Sequence, residues 1–177
     1  RAGWRFVSRR PMPARDAALD PAEVVARFAD VEVLVVGDLI ADRFLWGKVS
    51  RISPEAPVPV VHVVNESLAL GGAANVAHNI RALGGRVSLG GLVGNDALGE
   101  WVREECGRLE IDPSTVVTAP GRRTTEKTRV VAQHQQVVRF DREDLVDPAA
   151  STLAGRSQAR ERRLARVDAV AVPDYAN

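Results

Sequence analysis

Gly71-Gly72-Ala73-Ala74-Asn75-Val76-Ala77-His78-Asn79-Ile80 is the stretch that most constrains the fold. Two glycines let the backbone take dihedrals that other residues resist and approach a neighbour or a ligand closely. From Ala73 to Leu83 the apolar residues Val76, Ile80 and Leu83 recur at helical spacing. The element therefore reads as a tight turn that opens a helix. First-turn N–H groups of a helix lack intrahelical partners and suit sugar hydroxyls or an anion. Asn75 adds a side chain with donor and acceptor in that turn. An ordinary strand-to-helix turn carries the same pattern, so the stretch gains meaning only from its neighbours.

On the N-terminal side, Val31 to Val36 is an apolar run broken only by Glu32, ending at Gly37-Asp38. Such a run fits a buried parallel strand. Val58 to Val64 is β-rich but follows Pro54, Pro57 and Pro59, which exclude a central strand and favour an edge or a protruding ribbon. On the C-terminal side, Val87 to Val93 predicts a strand. Leu98, Trp101, Val102, Cys106 and Leu109 predict an amphipathic helix. Val116-Val117 predicts a short strand. Thr124 to Ala132 and Gln136 to Phe140, joined by polar Gln133, His134 and Gln135, predict a hairpin. A helix is expected over 148–166 and a buried strand over Val167 to Val172, closing at Pro173-Asp174. Asp20 and Pro21 predict the cap and first residue of a short helix to Phe28. Residues 1–20 show no period and are expected to form a disordered tail, leaving 21–177 as the folded part.

Buried strands alternating with helices indicate an α/β domain with a mostly parallel sheet. The proline-flanked ribbon and the late hairpin do not fit that sheet, and predict a small second β-layer projecting from it, with segments near 48–64 and 124–140. At 177 residues and 45% hydrophobic, the chain is long enough to bury a core; at 5% aromatic, that core is mostly Val, Leu, Ile and Ala. A net charge of +1 gives no general attraction to nucleic acid or a membrane surface. No apolar run approaches the roughly 18 residues that span a bilayer. The single Cys106 excludes an internal disulfide and fits a reducing, cytoplasmic setting.

The residues that carry chemistry are carboxylates and cations near predicted strand ends. Ligands of open α/β sheets gather at the carboxyl ends of strands. Asp38 follows one such end and Asp174 another, and each can accept hydrogen bonds from hydroxyls. Asp42 lies four residues on, one turn away if a helix starts here, and is a candidate beside Asp38; equally, Asp38 caps that helix and Asp42 is solvated. Lys127 and Arg129 alternate along a strand, so they share a face and can bind a phosphate or carboxylate, or form an ordinary solvated face. Arg139 and Asp141 share a face and can pair. His62, His78 and His134 show no metal-ligand spacing. Cys106 sits on the apolar face of its helix. Arg156, Arg160, Arg162, Arg163 and Arg166 read as a solvated surface without the interleaved aromatics of a nucleic-acid site.

Taken together, the chain resembles the ribokinase-type sugar kinases of the PfkB family, and among them the kinases of phosphorylated heptose. The resemblance rests on Val35-Val36-Gly37-Asp38 with Asp42-Arg43-Phe44, and on Ser50-Arg51-Ile52-Ser53-Pro54-Glu55-Ala56-Pro57-Val58-Pro59-Val60. It continues through Gly71 to Ala77, Gly94-Asn95-Asp96, Thr125-Glu126-Lys127-Thr128-Arg129-Val130, Gln135-Gln136, Arg139-Phe140-Asp141 and Asp174-Tyr175-Ala176.

What the resemblance implies is a ribokinase-like α/β domain with a small β-lid and pairing of lids in a homodimer. It implies transfer of the ATP γ-phosphate, with Mg2+, to the anomeric hydroxyl of D-glycero-β-D-manno-heptose 7-phosphate, a step towards ADP-heptose. By the same resemblance Asp38, Gly71, Gly72 and Asn75 hold sugar hydroxyls, Lys127 and Arg129 are candidates to meet the 7-phosphate or nearby polar groups, and Asp174 closes the pocket. No nucleic acid, membrane or resident metal ligand is implied. The family's Gly-Ala-Gly-Asp segment, which carries the base and the anion hole, does not occur in these residues. The C-terminal half and most of the ATP site are thus expected to be absent, leaving a sugar-binding half that is inactive alone. A non-catalytic sugar-binding or dimerising relative, and a sugar kinase with another substrate, remain open alternatives.

Overall fold

The computed structural model describes residues 3–8, 20–144 and 163–174. Its strands are β1 (Gly3–Ser8), β2 (Glu32–Val36), β3 (Leu39–Ile52), β4 (Pro59–Gly72), β5 (Arg86–Gly94), β6 (Asp112–Ala119), β7 (Thr125–Ala132), β8 (Gln135–Arg142) and β9 (Ala169–Asp174). Its helices are α1 (Pro21–Ala26), α2 (Ala73–Ala82) and α3 (Ala97–Arg108), and a 3-10 turn at Arg27–Asp30 follows α1. The strands form a five-stranded sheet in the order β1-β9-β2-β5-β6 and a four-stranded sheet in the order β4-β3-β7-β8.

In the larger sheet β9, β2, β5 and β6 run parallel. Strand side chains alternate between faces. One face presents Val33, Val35, Val87, Leu89 and Val116 to α2 and α3. Helix α2 meets them with Ala73, Ala74, Val76 and Ala77, so small side chains let its backbone lie close to the sheet. Helix α3 contributes Val102 and Cys106. The core is aliphatic, as the composition requires.

Asp20 caps α1 by accepting from the Ala22 N–H at 2.9 Å. Asp96 caps α3 by accepting from the Gly99 N–H at 2.9 Å. Both caps satisfy donors that the first helical turn leaves open.

The smaller sheet is the lid. Its two long strands β3 and β4 form an antiparallel ribbon from Leu39↔Gly72 outward to Ile52↔Pro59. Strand β4 is an edge, which the prolines demand. The predicted hairpin is β7 and β8, joined at Gln133 and His134, both with positive φ (51° and 66°). That backbone matches the twist of a two-residue hairpin.

Three expectations change. Asp42 does not lie on a helix after Asp38. It lies in β3, because Ile40 to Gly47 gains ladder partners on both sides, from β4 and from β7. The lid therefore starts at Leu39 and returns at Gly72, well beyond both ends of the 48–64 segment expected for it. Within the expected N-terminal tail, Gly3–Ser8 forms β1, antiparallel to β9, and satisfies that strand's outer backbone groups. The helix expected over 148–166 falls largely outside the described residues, as do Tyr175 to Asn177.

Candidate functional site

Strand ends and a helix start meet at one point. Strand β2 ends at Val36 and the chain turns through Gly37-Asp38 into β3. Strand β4 ends at Gly72 and enters α2 directly. The Ala73 N–H donates to the Asp38 carbonyl at 2.9 Å, which fastens the α2 N-terminus to the end of β2. The Gly37 N–H donates to the Gly90 carbonyl at 3.1 Å, tying in β5. A Cβ on Gly37 would stand 3.1 Å from Ala73 Cβ and 3.3 Å from the Pro173 carbonyl oxygen, so the end of β9 adjoins as well. Asp174 is the last residue of β9.

Both glycines of the signature stretch are required by contacts inside the protein. Gly72 has φ 57°, and a Cβ there would overlap the Asp38 carbonyl. A Cβ on Gly71 would lie 2.6 Å from Asp42 Oδ2. The Asp42 carboxylate rests against the Gly71 backbone, where only glycine leaves room. Asn75 is the third residue of α2 and is exposed at the start of that helix.

Asp42, Lys127 and Arg129 share one face of the lid. Asp42 stands opposite Lys127 and Phe44 opposite Arg129 in the β3–β7 register. Arg129 Nη1 donates to Asp42 Oδ1 at 2.6 Å, and its guanidinium lies over the Phe44 ring at 5.4 Å. Phe44 stacks on Trp46 with centroids 5.7 Å apart, and the Trp46 Nε1–H donates to Ser67 Oγ at 3.1 Å. Lys127 Nζ is 3.9 Å from Asp141 Oδ2, and Arg139 Nε is 3.1 Å from Asp141 Oδ1. Cations and carboxylates thus alternate across this face, able to meet both hydroxyls and an anionic group.

The opposite lid face holds a buried carboxylate. Glu126 bonds Arg43, and accepts from Arg142 Nη1 at 3.0 Å. Burial pushes the Glu126 carboxyl up, but the hydrogen bonds and charges of Arg43 and Arg142 outweigh it and hold it below its ordinary value. A second knot anchors the lid to the larger sheet. Asp96 accepts from the Thr124 N–H at 2.8 Å and from Thr124 Oγ1 at 2.6 Å, and Thr124 Oγ1 accepts from the Gly94 N–H at 2.9 Å. Burial raises the Asp96 carboxyl, yet the Thr124 and Gly99 donors and the Arg123 charge leave it lowered.

A cleft of about 470 Å³ runs along the sheet face away from α2 and α3, between Val36, Asp38, Gly91, Thr115, Arg123 and Thr125. Asp38 lines this cleft, whereas Gly71, Gly72, Asn75, Lys127 and Arg129 are not among its lining residues. Gly71 and Gly72 adjoin Asp42 and Asp38 at the strand ends, and Arg129 reaches that point through Asp42. Glu126 and Asp96 were not singled out as site residues by sequence, and Asp42 was a candidate only as a neighbour of Asp38 one helical turn on. The placement of the Asp42 carboxylate against Gly71 comes from the pairing of β3 with β4, in which Ile40 is opposite Gly71 and Asp42 opposite Ala69. Among the described residues no group of three or more His, Cys, Asp or Glu is placed to hold a metal ion. Cys106 is buried, and burial raises its thiol to about 11, which leaves it inert.

The family model of the pfkB carbohydrate kinases matches residues 31–173. The chain belongs to the pfkB carbohydrate kinase family. The bifunctional protein HldE of Helicobacter pylori strain HPAG1 is 46% identical over 145 residues, which is 81% of this chain and 31% of that protein. The bifunctional protein HldE of Caulobacter vibrioides is 45% identical over 158 residues, 88% of this chain and 32% of that protein. This pfkB chain therefore spans about a third of the length of the curated relatives it matches.

Among solved structures, a carbohydrate kinase from Agrobacterium tumefaciens superposes with a TM-score of 0.50 at 22% identity, over 63% of this chain and 35% of that one. The Methanocaldococcus jannaschii nucleoside kinase, an archaeal member of the ribokinase family, superposes with a TM-score of 0.50 at 20% identity, over 63% and 36%. They share its fold: the pfkB chain is ribokinase-like, a mostly parallel sheet flanked by helices with a protruding β-lid. No helix among the described residues is long and apolar enough to cross a membrane.

Proposed function

We propose that this chain forms the sugar-binding part of an ATP-dependent kinase acting on D-glycero-β-D-manno-heptose 7-phosphate, in the route to ADP-heptose. The observation that carries the reading is the Asp42 carboxylate seated on Gly71 and paired with Arg129, beside the α2 N-terminus and Asp38. Similarity to HldE proteins over four-fifths of the chain supports the substrate class.

In this reading the carboxylates of Asp38 and Asp42, the amide of Asn75 and the backbone at Gly71-Gly72 take the sugar hydroxyls. Asp174 closes that pocket. Lys127 and Arg129 meet the substrate phosphate. Charge-assisted hydrogen bonds from such cations are stronger than neutral ones.

The anomeric oxygen forms a bond to the γ-phosphorus of ATP as the bond from that phosphorus to the β,γ-bridging oxygen breaks. The hydroxyl proton passes to a base. Phosphoryl transfer depends on positioning and charge stabilisation. Mg2+ bound with the ATP phosphates would neutralise the charge that develops there. We assign the base and most of the ATP site to sequence outside this chain, which on its own holds sugar without turning it over. A homodimer joined through the lid, in a cytoplasmic setting, completes the proposal. The exposed Val137, Val138 and Phe140 of edge strand β8 support the lid contact.

Calorimetric titration of the purified chain with heptose 7-phosphate, repeated on Asn75→Ala, tests the sugar site. Saturable binding that the variant loses supports it. An ATP-coupled assay on the whole protein carrying these residues tests the reaction. Turnover of an unphosphorylated hexose in preference to heptose 7-phosphate overturns the substrate assignment.

A further inference from the structure

Strand β7 carries the cations of the proposed site, yet its sequence hardly specifies which face they take. Thr125, Lys127, Arg129 and Val131 lie on one face and Glu126, Thr128, Val130 and Ala132 on the other. At the inner end both faces are polar. A one-residue slip in a strand moves every side chain to the opposite face, and an apolar pattern normally forbids the slip. From Thr125 to Arg129 no such pattern exists.

The structure supplies a different constraint. The Glu126 side chain is 6% exposed and holds Arg43 of β3 and Arg142 of β8, its two flanking strands. Thr128 Oγ1 donates to Glu126 Oε1 at 3.2 Å. Arg43 also bonds Glu66 of β4. The knot therefore crosses all four lid strands, on the face opposite Asp42, Lys127 and Arg129. A buried ion pair adds little net stability compared with apolar packing, and its best-attested use is to fix register.

We propose that Glu126 is a positioning residue: its hold on Arg43 and Arg142 sets the face and register of β7 and so keeps Lys127 and Arg129 beside Asp42 for an anionic sugar. The proposal rests on the functional reading above, in which this lid face meets a sugar phosphate. Glu126 itself touches no substrate.

Steady-state kinetics of the whole protein carrying these residues test it, with wild type, Glu126→Gln, Glu126→Asp and Arg142→Gln compared. In Glu126→Gln the KM for heptose 7-phosphate rises by roughly tenfold or more, on the scale that misplaced binding groups cost. The KM for ATP stays unchanged and kcat changes far less. Glu126→Asp recovers part of the loss. Arg142→Gln, at a half-exposed edge position that tolerates change, shows a smaller rise. Folded Glu126→Gln with a wild-type KM for the sugar phosphate overturns the proposal. So does a parallel loss for both substrates that merely tracks a falling Tm.

Wild type that neither binds nor turns over any sugar phosphate overturns the functional reading instead. Amide hydrogen exchange over residues 125–132 then decides the role of Glu126. Protection lost in β7 but kept in the larger sheet supports it, and unchanged protection overturns it.

Discussion

The Asp42 carboxylate lies where a side chain on residue 71 would begin: a Cβ on Gly71 would stand 2.6 Å from Asp42 Oδ2. The two residues are neighbours only because β3 and β4 pair with Ile40 opposite Gly71. The glycine is thus explained by a carboxylate that needs its space, and the carboxylate is held within reach of the α2 N-terminus.

Gly71→Ala is expected to displace Asp42 and cost about 1–3 kcal/mol, the range for overpacking a filled site. Gly72→Ala is expected to cost more, about 3 kcal/mol, because it adds a positive-φ strain to its clash with the Asp38 carbonyl. Urea unfolding of both variants checks the order. Equal stability of wild type and Gly72→Ala would contradict the backbone geometry at this turn.

Asp42→Asn removes the charge that pairs with Arg129 but keeps the shape. Sugar-phosphate affinity is expected to fall by about tenfold, near the worth of one charge-assisted hydrogen bond. The thermal midpoint should move by only a few degrees, about what a change near 1 kcal/mol produces. Calorimetric titration beside a melting curve separates the two effects.

Asp96 and Glu126 are both held below their ordinary values of 3.8 and 4.5 in the fold. A lowered carboxyl pKa stabilises the fold above the ordinary value, and that contribution disappears as pH falls through the folded one. Stability should therefore decline from about pH 4.5 downward. Asp96→Asn should flatten the acid part of that decline. A denaturation series from pH 6 to pH 2.5 measures it, and an unchanged slope in the variant would refute the role of Asp96.

Asp96→Ala removes the α3 cap and two bonds to Thr124 together. A loss of about 2 kcal/mol or more is expected, from the cap and the orphaned buried donors. Because Thr124 directly precedes β7, amide exchange should rise at the inner end of the lid before it rises in β2 or β5.

Cys106 should resist thiol reagents at pH 8 in the native protein. Its thiol is raised to about 11 by burial first and by the Glu105 charge second. Reaction with a chromogenic disulfide should follow unfolding by denaturant, with one equivalent released. Fast labelling of native protein would show that α3 does not pack as described.

Much of the architecture was legible in local patterns. The runs at Val31 to Val36 and Val87 to Val93, and the helical spacing from Leu98 to Leu109, report burial directly, because each element's period matches the face it hides. The prolines before Val60 announced an edge strand, because proline cannot donate to a ladder. Less legible was the span from Leu39 to Trp46, whose two polar residues each find a partner across the sheet, so that no clean alternation marks the strand.

By itself the sequence determined an aliphatic α/β domain with a projecting β-layer, the turn into α2 and the membership that its ordered motifs carry. These are local properties: periodicity, dihedral freedom and missing donors act within a few residues of their origin. Only the tertiary structure decided that Asp42 faces Gly71, that Arg129 answers it from a strand 87 residues away, and that Glu126 turns to the other face. Those relationships depend on strand register, which is fixed by pairing between distant segments and by charges that find each other only after the sheets have formed.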